Sequence, residues 1–514
     1  MTQRPSVGRV SLVGAGPGRP DLLTLRGAAL LTRADVVVLD ALVDRALLRH
    51  GRPGVRVVDA GKRGHGRALM GQPAINRLLV RLARAGKNVV RLKGGDPCFF
   101  GRGGEEAEAL AAAGVPFEIV PGVSSVTAVP AHAGVPLTHR DLTSTVTVVT
   151  GHGQAPNRYW GKSASRSARP AVDWKALPHD GTLVVLMGLK NAATIAADLL
   201  RAGWAPDTPS LAVASGTLPE QKTVRAPLAE FGAALRRARL SPPGLLVFGR
   251  VAGLGPKLDW FSRRPLVGKK ILVARPAEQA GPLTSLLEER GARVVECPAI
   301  RIDPLKPSFA VRKALRAFDF DGALFTSVNA VRHARPHLPA GWPPRARAYA
   351  VGPKTADAMA AAGIPVTGVA GEYNAEGLAR ILKKPLRGKK FLFPRAESGR
   401  DVLIRFLEKA GATVTLWPVY RTTPLAPPRP VRRDLLSGRF DAAAFTSSST
   451  VEAVLGAISP AARRKTFKGT RALSIGPLTS KTLRAHGAGR GLVEARGATV
   501  ESMVEALEKV WEKP

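Results

Sequence analysis

The sequence is poor in cysteine and in aromatic residues. Its 514 residues include two cysteines, Cys98 and Cys297, which lie far apart and outside any C-x-x-C pattern. We therefore expect neither a disulfide framework nor a metal site. Aromatic residues make up 5% of the chain, which is poor material for stacking on nucleic-acid bases. No apolar run approaches the roughly 18 residues of a membrane helix, and the N-terminus lacks a signal-peptide core. These absences predict a cytoplasmic protein without a membrane partner.

Acidic residues are also scarce relative to basic ones. The chain has 77 Lys and Arg against 39 Asp and Glu, a formal net charge of +38. Such an excess favours anionic partners, whether nucleic acid, a membrane surface or a polycarboxylate metabolite. The basic residues are scattered, with no basic tail and no tract of five or more. Together with the few aromatics, this pattern favours a small polycarboxylate and argues against nucleic acid.

The chain is too long for one hydrophobic core, and its length predicts three or four domains. Up to about residue 250, short β-rich apolar runs alternate with helical patterns, which indicates an α/β fold with mostly parallel strands. A break near 134–141 divides these strands into two lobes. The polar stretch 153–172, rich in Ser, Arg and Pro, predicts an exposed loop.

The second half contains an internal repeat. The stretch GKKILVARP at 268–276 recurs as GKKFLFPRA at 388–396, and FDGALFTSVNAV at 320–331 recurs as FDAAAFTSSSTV at 440–451. Both pairs are offset by 120 residues. A period this long indicates a duplicated domain and not a solenoid. We therefore expect two similar α/β lobes.

Polar signals in the first half lie where predicted strands end, which is where open α/β sheets bind their ligands. The turn GAGPG at 14–18 begins like a dinucleotide fingerprint, but Arg19 stands where the third glycine should be. Asp40 ends the second strand, either as a helix N-cap or as a functional carboxylate. Lys62 is either an ordinary solvated lysine or a functional cation.

The most informative motif is VVRLKGGDPCFFGRGGEEAEAL at 89–110. Gly94 and Gly95 leave the backbone amides bare, Asp96 offers a carboxylate, and Pro97 stiffens the turn. A structural turn needs only one or two of these residues. The motif therefore predicts a binding loop.

Residues 9–262 resemble uroporphyrinogen-III C-methyltransferase of the tetrapyrrole methylase family, through VGAGPGRPDLLTLRG, GKRGHG, VRLKGGDPCFFGRGGEE and GVPLTHRD. The resemblance implies that the half 1–262 binds S-adenosylmethionine between two α/β lobes, about 9–136 and 137–262, and releases S-adenosylhomocysteine. An adenosyl sulfonium has no pyrophosphate to place on a helix N-terminus, so the third glycine is not required. A homodimer formed through this half is also implied.

The resemblance assigns roles to particular residues. Asp40 and Lys62 fall on the family's proposed proton-transfer pair, in which Asp40 accepts the proton that leaves the macrocycle and Lys62 donates a proton or holds a substrate carboxylate. Cofactor contacts fall on Pro17, Gly94, Gly95, Asp96, Phe99, Ser124, Ser125, Met187 and Gly216. Phe99 and the Ser124-Ser125 pair depart from the residues common in the family, and the loop 153–172 is longer than the family's link.

Residues 268–514 look like uroporphyrinogen-III synthase, through ILVARP, AVGPKTA, FLFPRAESGRDVL and VYRT. The implied lobes are 268–302 with 424–514, and 304–420, so the sequence repeat does not map simply onto lobes. Tyr420 matches a tyrosine proposed to help hydroxide leave from hydroxymethylbilane; otherwise it is a half-buried strand tyrosine. Contacts with substrate carboxylates are expected at Thr326, Ser327, Arg395, Ser398, Thr446 and Ser447, of which the Thr-Ser pairs could instead be helix N-caps and turns.

These features predict a bifunctional α/β enzyme. It would close hydroxymethylbilane to uroporphyrinogen III and methylate that product at C2 and C7 to give precorrin-2, and polycarboxylate substrates fit the basic chain. Two alternatives remain open. One is a methyltransferase for a later corrin intermediate with an inactive synthase half, and the other is a basic nucleic-acid-binding protein.

Overall fold

The computed structural model describes residues 7–61, 70–151, 172–372, 374–382, 385–399, 401–489 and 491–512. Lys62 and nearly all of the predicted loop 153–172 lie outside these ranges. The chain divides into an N-terminal unit, Met1–Lys269 with Glu288–Arg293, and a C-terminal unit, Lys270–Leu287 with Val294–Pro514. Among the described helices, none is long and apolar enough to cross a membrane.

The first sheet of the N-terminal unit is built from short valine-rich strands. These are β1 (Val10–Gly14), β2 (Val36–Leu39), β3 (Arg56–Asp59), β4 (Val89–Lys93) and β5 (Phe117–Val120). The accompanying helices are α1 (Leu25–Leu31), α2 (Gln72–Arg84), α3 (Gly103–Ala112) and α4 (Ser125–His132). The strand order is β3-β2-β4-β1-β5, and every pair is parallel. Strands β1, β2 and β4 are buried along their whole length, as expected for a sheet covered on both faces.

The second sheet of this unit differs in strand direction. Its strands are β6 (Val146–Thr150), β7 (Thr182–Leu186), β8 (Pro209–Ala214), β9 (Lys222–Pro227) and β10 (Gly244–Phe248), with helices α5 (Ala192–Arg201), α6 (Leu228–Ala238) and α7 (Gly255–Leu258). In the order β6-β7-β10-β8-β9, only the first pair is parallel. The prediction of mostly parallel strands is therefore wrong for this sheet. The connection 215–221 between β8 and β9 is too short for a crossover helix, so these strands must be antiparallel.

Helix α4 follows the first sheet in sequence but packs on the second. Its Val126 and Val129 share one hydrophobic cluster with Val184 of β7 and Leu211 of β8. Because the loop before α4 continues from β5, this packing holds the carboxyl ends of the first sheet's strands near the second sheet. The N-terminal unit therefore presents loops from both sheets to one region.

The described residues of the C-terminal unit form eleven strands. They are β11 (Lys270–Ala274), β12 (Arg293–Cys297), β13 (Ile300–Pro304), β14 (Gly322–Phe325), β15 (Arg347–Ala350), β16 (Gly368–Val369), β17 (Lys390–Ala396), β18 (Thr413–Pro424), β19 (Ala442–Phe445), β20 (Arg471–Ser474) and β21 (Leu492–Glu494). The helices are α8 (Ala277–Glu289), α9 (Phe309–Ala317), α10 (Val328–Ala334), α11 (Pro353–Ala361), α12 (Ala375–Arg380), α13 (Val402–Lys409), α14 (Arg429–Leu436), α15 (Ser448–Gly456), α16 (Pro460–Gly469), α17 (Pro477–Ala485) and α18 (Val500–Trp511).

These strands form two sheets with related topology. One has the order β12-β11-β19-β20-β21, and the other has the order β13-β18-β17-β14-β15-β16. In the sequence repeat, β11 and β12 correspond to β17 and β18, whereas β14 and β15 correspond to β19 and β20. The two sheets therefore share one strand order, apart from the added β13. Each sheet combines the first part of one repeat copy with the second part of the other, and the predicted α/β class is confirmed.

Helix α4 ends at a buried histidine. The Nδ1 atom of His132 lies 2.8 Å from the carbonyl oxygen of Ala128, and its ring packs 5.1 Å from the rings of Trp260 and Phe261. Burial lowers the pKa of His132 below the ordinary value of 6.5. Protonation of this ring is therefore less favourable in the folded protein than in the unfolded chain.

We expect His132 to destabilise the protein as the pH falls below about 6.5. There the unfolded chain binds a proton that the folded state does not, so the free energy of unfolding decreases by at most about 1.4 kcal/mol per pH unit. His132→Phe keeps a packed ring and cannot titrate. Calorimetric melting at pH 7.5 and 5.5 should show a smaller loss of Tm in His132→Phe than in the wild type. Equal losses of Tm in the variant and the wild type would contradict a destabilising effect of His132 at low pH.

Candidate active sites

Loops that follow β1, β4 and β5 meet in one backbone cluster of the N-terminal unit. Gly16 and Gly95 are joined by two backbone hydrogen bonds. The Gly95 N–H donates to the Gly16 carbonyl oxygen at 2.7 Å, and the Gly16 N–H donates to the Gly95 carbonyl oxygen at 3.3 Å. Asp96 connects this pair to the third loop, because its Oδ2 accepts from the Gly122 N–H at 3.0 Å. Its Oδ1 accepts from the Cys98 N–H at 2.8 Å. The carboxylate therefore fixes the positions of two loops.

Glycine permits this close approach and also leaves space for a ligand. A Cβ atom at Gly122 would lie 2.3 Å from the carbonyl oxygen of Gly95, and one at Gly14 would lie 2.5 Å from the Cα atom of Gly122. At Gly94, by contrast, a Cβ atom would meet only the Leu42 side chain among the described residues, at 3.2 Å. The backbone at Gly94 and Gly95 therefore borders open space that a cofactor can occupy.

The second sheet contributes loops that follow β7 and β8. Met187, directly after β7, has a side chain 44% exposed. Gly216, after β8, packs so closely on α4 that a Cβ atom there would lie 2.4 Å from Val129. The Arg19 N–H donates to the Thr217 Oγ1 at 3.4 Å. The loop after β1 and the loop after β8 are therefore in contact, and the predicted cofactor residues come from both sheets.

Backbone strain is concentrated in the same loops. Apart from Arg239 at the end of α6, the described non-glycine residues of this unit with positive φ are Phe100, Arg102, Met187, Ser215 and Thr217. Such residues cost free energy and tend to persist at functional sites. Only Met187 among them is predicted from the sequence. Composition gives no signal for the others, because tertiary packing imposes their φ.

The remaining cofactor candidates have local roles. The Ser124 Oγ accepts from the Val126 N–H at 3.3 Å and caps α4, and Ser125 is the first residue of that helix. Phe99 is 42% exposed, with its ring edge-on to Phe100 at 5.4 Å. Pro17 lies in the turn after β1. Their cofactor contacts remain predictions.

Asp40 lies at the carboxyl end of β2 and is half-buried. Its Oδ1 accepts from the Ala41 N–H at 2.8 Å. The described chain then continues through a turn into the 3-10 helix Arg45–His50, so Asp40 does not cap an α-helix. Gly61 packs against Ala41, since a Cβ atom at Gly61 would lie 2.6 Å from the Ala41 Cα atom. Lys62, the next residue, lies outside the described ranges.

A buried charged cluster lies beside these loops, and the sequence does not single it out. Arg91 and Lys93 are each 2% exposed, and Glu106 of α3 is fully buried. The Glu106 Oε1 accepts from the Lys93 Nζ at 2.9 Å, the Arg91 Nε at 3.2 Å and the Gln72 Nε2 at 3.1 Å. The sequence signal that could have indicated this cluster is the spacing of Arg91 and Lys93 in VVRLK. Residues two apart in a strand lie on the same face, here of β4.

In the C-terminal unit, Ser327 and Tyr420 are brought together from separate parts of the chain. The Ser327 Oγ lies 3.3 Å from the Tyr420 hydroxyl, and the same Oγ accepts from the Ala330 N–H at 3.0 Å to cap α10. Tyr420 is 9% exposed, with the His333 ring 5.8 Å away. Each of the two hydroxyls can donate to or accept from the other.

The other residues of this sheet that are expected to bind substrate carboxylates differ in how accessible they are to a ligand. Arg395 is buried, and its Nη1 donates to the Asp401 Oδ1 at 2.9 Å. Its charge is therefore already balanced within the chain. Ser398 is exposed in the bend after β17, and Thr326 is half-buried directly after β14. Of these three, the hydroxyl residues are the more accessible to a ligand.

Thr446 and Ser447 lie on the other sheet, after β19. The Ser447 Oγ accepts from the Thr450 N–H at 3.3 Å and caps α15. Strand β11 pairs with β19 up to Ala274, so the next residue, Arg275, lies beside Thr446. The Arg275 Nε is buried without a hydrogen-bond partner among the described residues, and burial lowers the pKa of its guanidinium. The sequence does not single out Arg275, which can bind a carboxylate.

Comparison with known proteins matches both units. The family described as Tetrapyrrole (Corrin/Porphyrin) Methylases matches residues 9–232, and the family described as Uroporphyrinogen-III synthase HemD matches residues 281–505. The porphyrin biosynthesis protein HemD of Ruminiclostridium josui is 32% identical over 508 residues, covering 97% of each chain.

Other relatives match the N-terminal unit. Siroheme synthase 2 of Halorhodospira halophila (strain DSM 244 / SL1) is 44% identical over 265 residues, which is 52% of this chain and 51% of that protein. The chain therefore spans about half the length of that relative. A crystal structure of uroporphyrin-III C-methyl transferase from Thermus thermophilus complexed with S-adenyl homocysteine is 42% identical. It covers 48% of this chain and 100% of its own, with a TM-score of 0.39.

The fold and the matched families define a methyltransferase joined to a synthase of tetrapyrrole biosynthesis. The chain belongs to the family of fused tetrapyrrole methylase and uroporphyrinogen-III synthase proteins, with HemD of R. josui as a relative over nearly the full length. It is therefore an enzyme, and S-adenosylmethionine is the cofactor of its methyltransferase. Both resemblances drawn from the sequence are confirmed.

Asp96→Ala should lower the affinity of the N-terminal unit for S-adenosylhomocysteine by about tenfold or more. The change removes two hydrogen bonds to a charged group, each contributing about 1.5–3 kcal/mol, and releases the loops at Gly95 and Gly122. Calorimetric titration measures the affinity. Asp198→Ala, which removes a surface carboxylate paired with Arg201 on α5, is the matched control and should bind normally. Unchanged affinity in Asp96→Ala would remove Asp96 from the site.

Proposed function

We propose that the protein closes hydroxymethylbilane to uroporphyrinogen III in its C-terminal unit and methylates that product at C2 and C7 in its N-terminal unit. The final product is precorrin-2. The observation that carries the proposal is the presence of both families in one chain, because the first enzyme makes the substrate of the second. We further propose that the enzyme acts in the cytoplasm as a homodimer.

In the methyltransferase, Gly94 and Gly95 would border the cofactor, with Asp96 fixing the loop. Pro17, Phe99, Ser124, Ser125, Met187 and Gly216 would complete its contacts. S-adenosylmethionine supplies an electrophilic methyl group on a sulfonium centre. Apolar exposed side chains such as Met187 suit a flat macrocycle next to that group.

Asp40 would act as the proton acceptor. When a pyrrole carbon gains a methyl group, a C–H or N–H bond of the macrocycle must lose its proton, and a nearby carboxylate can accept it. The Ala41 N–H holds one oxygen of Asp40 and leaves the other for the substrate. Lys62, three residues beyond the end of β3 in the sequence, would hold a substrate carboxylate or donate a proton.

In the synthase, Tyr420 would donate a proton to the hydroxyl of hydroxymethylbilane, so that the C–O bond breaks and water leaves. Ser327, 3.3 Å away, would orient the phenol. The remaining task is to position the two ends of the chain for closure with inversion of the last ring. Thr326, Ser327, Arg395, Ser398, Thr446 and Ser447 would hold the carboxylates, together with Arg275.

Incubation with hydroxymethylbilane and S-adenosylmethionine tests the proposal, with products identified by mass. We expect a tetrapyrrole carrying two new methyl groups, and uroporphyrinogen III alone when the cofactor is omitted. Neither ring closure nor methylation of added uroporphyrinogen III, with S-adenosylmethionine still bound, would favour a methyltransferase for a later corrin intermediate with an inactive synthase half. Retention on DNA that is lost at raised salt, with neither reaction, would favour a nucleic-acid-binding protein.

Variants in the two units should have separate effects. Asp40→Asn keeps the hydrogen bond from Ala41 and should slow methylation of supplied uroporphyrinogen III by roughly 10²–10⁴-fold, with ring closure unchanged. Tyr420→Phe should slow ring closure by roughly 10²-fold, with methylation unchanged. Asp44→Asn removes a nearby carboxylate that caps a 3-10 helix and serves as the control for Asp40. A wild-type methylation rate in Asp40→Asn would mean that another group accepts the proton.

A further inference from the structure

Each sheet of the C-terminal unit has a point at which the order of its strands reverses. In the sheet β12-β11-β19-β20-β21, the chain proceeds from β11 to β12 on one side and from β19 to β21 on the other. Strands β11 and β19 pair in parallel up to Ala274 and Phe445. In open α/β sheets, ligands bind beyond the carboxyl ends of the strands at such a point. Arg275 and Thr446 are the residues that follow the two strands there.

The sequence repeat gives Arg275 a counterpart on the other sheet. The offset of 120 residues aligns Arg275 with Arg395, and it aligns Gly281 with Asp401. Arg395 lies near the end of β17, which pairs in parallel with β14 where the order of that sheet reverses. The two arginines therefore occupy equivalent positions, and their surroundings can be compared directly.

Arg395 is enclosed by the chain that follows it. Its Nη1 donates to the Asp401 Oδ1 at 2.9 Å, and its Nε donates to the Ala396 carbonyl oxygen at 3.2 Å. A Cβ atom at Gly399 would lie 2.6 Å from its Nη2, so the bend after β17 packs directly on the guanidinium. These contacts hold the bend in place and balance the charge of Arg395 within the chain.

Arg275 differs from its counterpart, because Gly281 stands where the repeat has Asp401. The Arg275 Nε is buried without a hydrogen-bond partner among the described residues, although the guanidinium stays ionised in proteins. Burying a charged donor without a partner is costly. A carboxylate ligand would offset this cost, since it can accept two parallel hydrogen bonds from one guanidinium.

The acid proposed for ring closure shows the opposite distribution between the sheets. Tyr420 contacts Ser327 on the sheet of Arg395, whereas the residue aligned with Tyr420 in the other repeat copy is Ile300. Helix α15, which follows Thr446, lies against both β11 and β18, and β18 carries Tyr420. The two copies have therefore kept different functional groups around one shared helix.

We infer that Arg275 binds a carboxylate of the linear tetrapyrrole where β11 and β19 end, and that it contributes more to substrate binding than Arg395 does. The inference rests on the proposed synthase reaction. One sheet supplies the acid, and the other supplies the cation that anchors the substrate. Arg275 is thus a positioning residue, which aligns the ends of the substrate for closure without taking part in proton transfer.

Arg275→Met removes the charge and keeps a long side chain. The KM for hydroxymethylbilane should rise by about ten- to a hundredfold, as expected for the loss of hydrogen bonds to a charged group. The kcat of ring closure should change by less than about threefold, because the acid is intact. Arg275→Lys keeps a charge and should recover part of the affinity. Initial rates over a range of substrate concentrations give both constants, and an unchanged KM in Arg275→Met would overturn the inference.

Methylation of supplied uroporphyrinogen III provides an internal control, since it belongs to the other unit and should not change in Arg275→Met. If Arg275→Met does not fold, Arg275→Gln keeps a polar side chain without the charge, and the same rise in KM is expected. Arg463→Met removes a half-buried guanidinium of α16 that donates to the Ile458 carbonyl oxygen at 2.7 Å. It should lower the Tm and leave the KM within about twofold of the wild type. A rise in KM equal to that of Arg275→Met would mean that the loss of any such guanidinium suffices, and would overturn the inference.

Glu278→Gln tests whether Arg275 has a structural partner instead. Glu278 is the acidic residue nearest to Arg275 in the sequence, and its side chain lies outside the described part of the chain. The variant should leave the KM for hydroxymethylbilane within about twofold of the wild type. Equal losses of Tm in Glu278→Gln and Arg275→Met, with the KM unchanged in both, would identify an internal ion pair and overturn the inference.

Arg395→Met tests the unequal contributions of the two arginines. It removes the contacts that hold the bend after β17, so the Tm should fall, and the KM should rise less than in Arg275→Met. A rise of equal or greater size would overturn the larger contribution of Arg275. A wild-type enzyme that does not close hydroxymethylbilane would overturn the proposed synthase reaction and the inference together. A wild-type enzyme that closes it, with an unchanged KM in Arg275→Met, would overturn the inference alone.

Discussion

Two backbone N–H groups bind the carboxylate of Asp96, and the organisation of the N-terminal site depends on this interaction. Loops at the ends of parallel strands have no strand ladder to hold them together, and their glycines favour close approach over rigidity. Asp96 connects the loop after β4 to Gly122 after β5, while the pairing of Gly16 with Gly95 adds the loop after β1. Methyl transfer requires aligned reacting groups, so under the proposed function this fixed backbone would be part of the catalytic arrangement.

The fold class could be predicted because buried parallel strands appear as continuous apolar runs. Strands β1, β2 and β4 are of this kind, and their carboxyl ends carry the glycine-rich turns that point to a ligand. Strand direction in the second sheet could not be predicted in the same way, since a run such as PSLAVA in β8 has the same pattern in either direction. The signal for the antiparallel direction of β8 and β9 is the connection 215–221, which is too short for a crossover helix.

The candidate site could be predicted only in part. Gly94, Gly95 and Asp96 stand out because their combination has no simple structural explanation. Lys93 does not, because a lysine at a strand end usually lies in solvent, and only the packing of α3 buries it against Glu106. The sequence left two interpretations for Ser327, and the structure shows that it caps α10. Capping uses an oxygen lone pair and leaves the hydroxyl proton available to Tyr420 or to a ligand.

The duplicated half distributes equivalent groups in an unusual way. Because each sheet combines parts of both repeat copies, the Thr-Ser pairs at 326–327 and 446–447 occupy equivalent positions on different sheets. Each pair follows a buried strand and precedes a helix whose first turn its serine caps. Repeated hydroxyls of this kind suit the proposed substrate, whose carboxylates are themselves repeated along a flexible chain. Positioning by many weak contacts suits the proposed ring closure, in which Tyr420 would be the one acid and the other groups would align the two ends of the substrate. The two proposed methyl transfers have the opposite requirement, because each one releases a single proton from the macrocycle, and a carboxylate at the end of β2 would accept it.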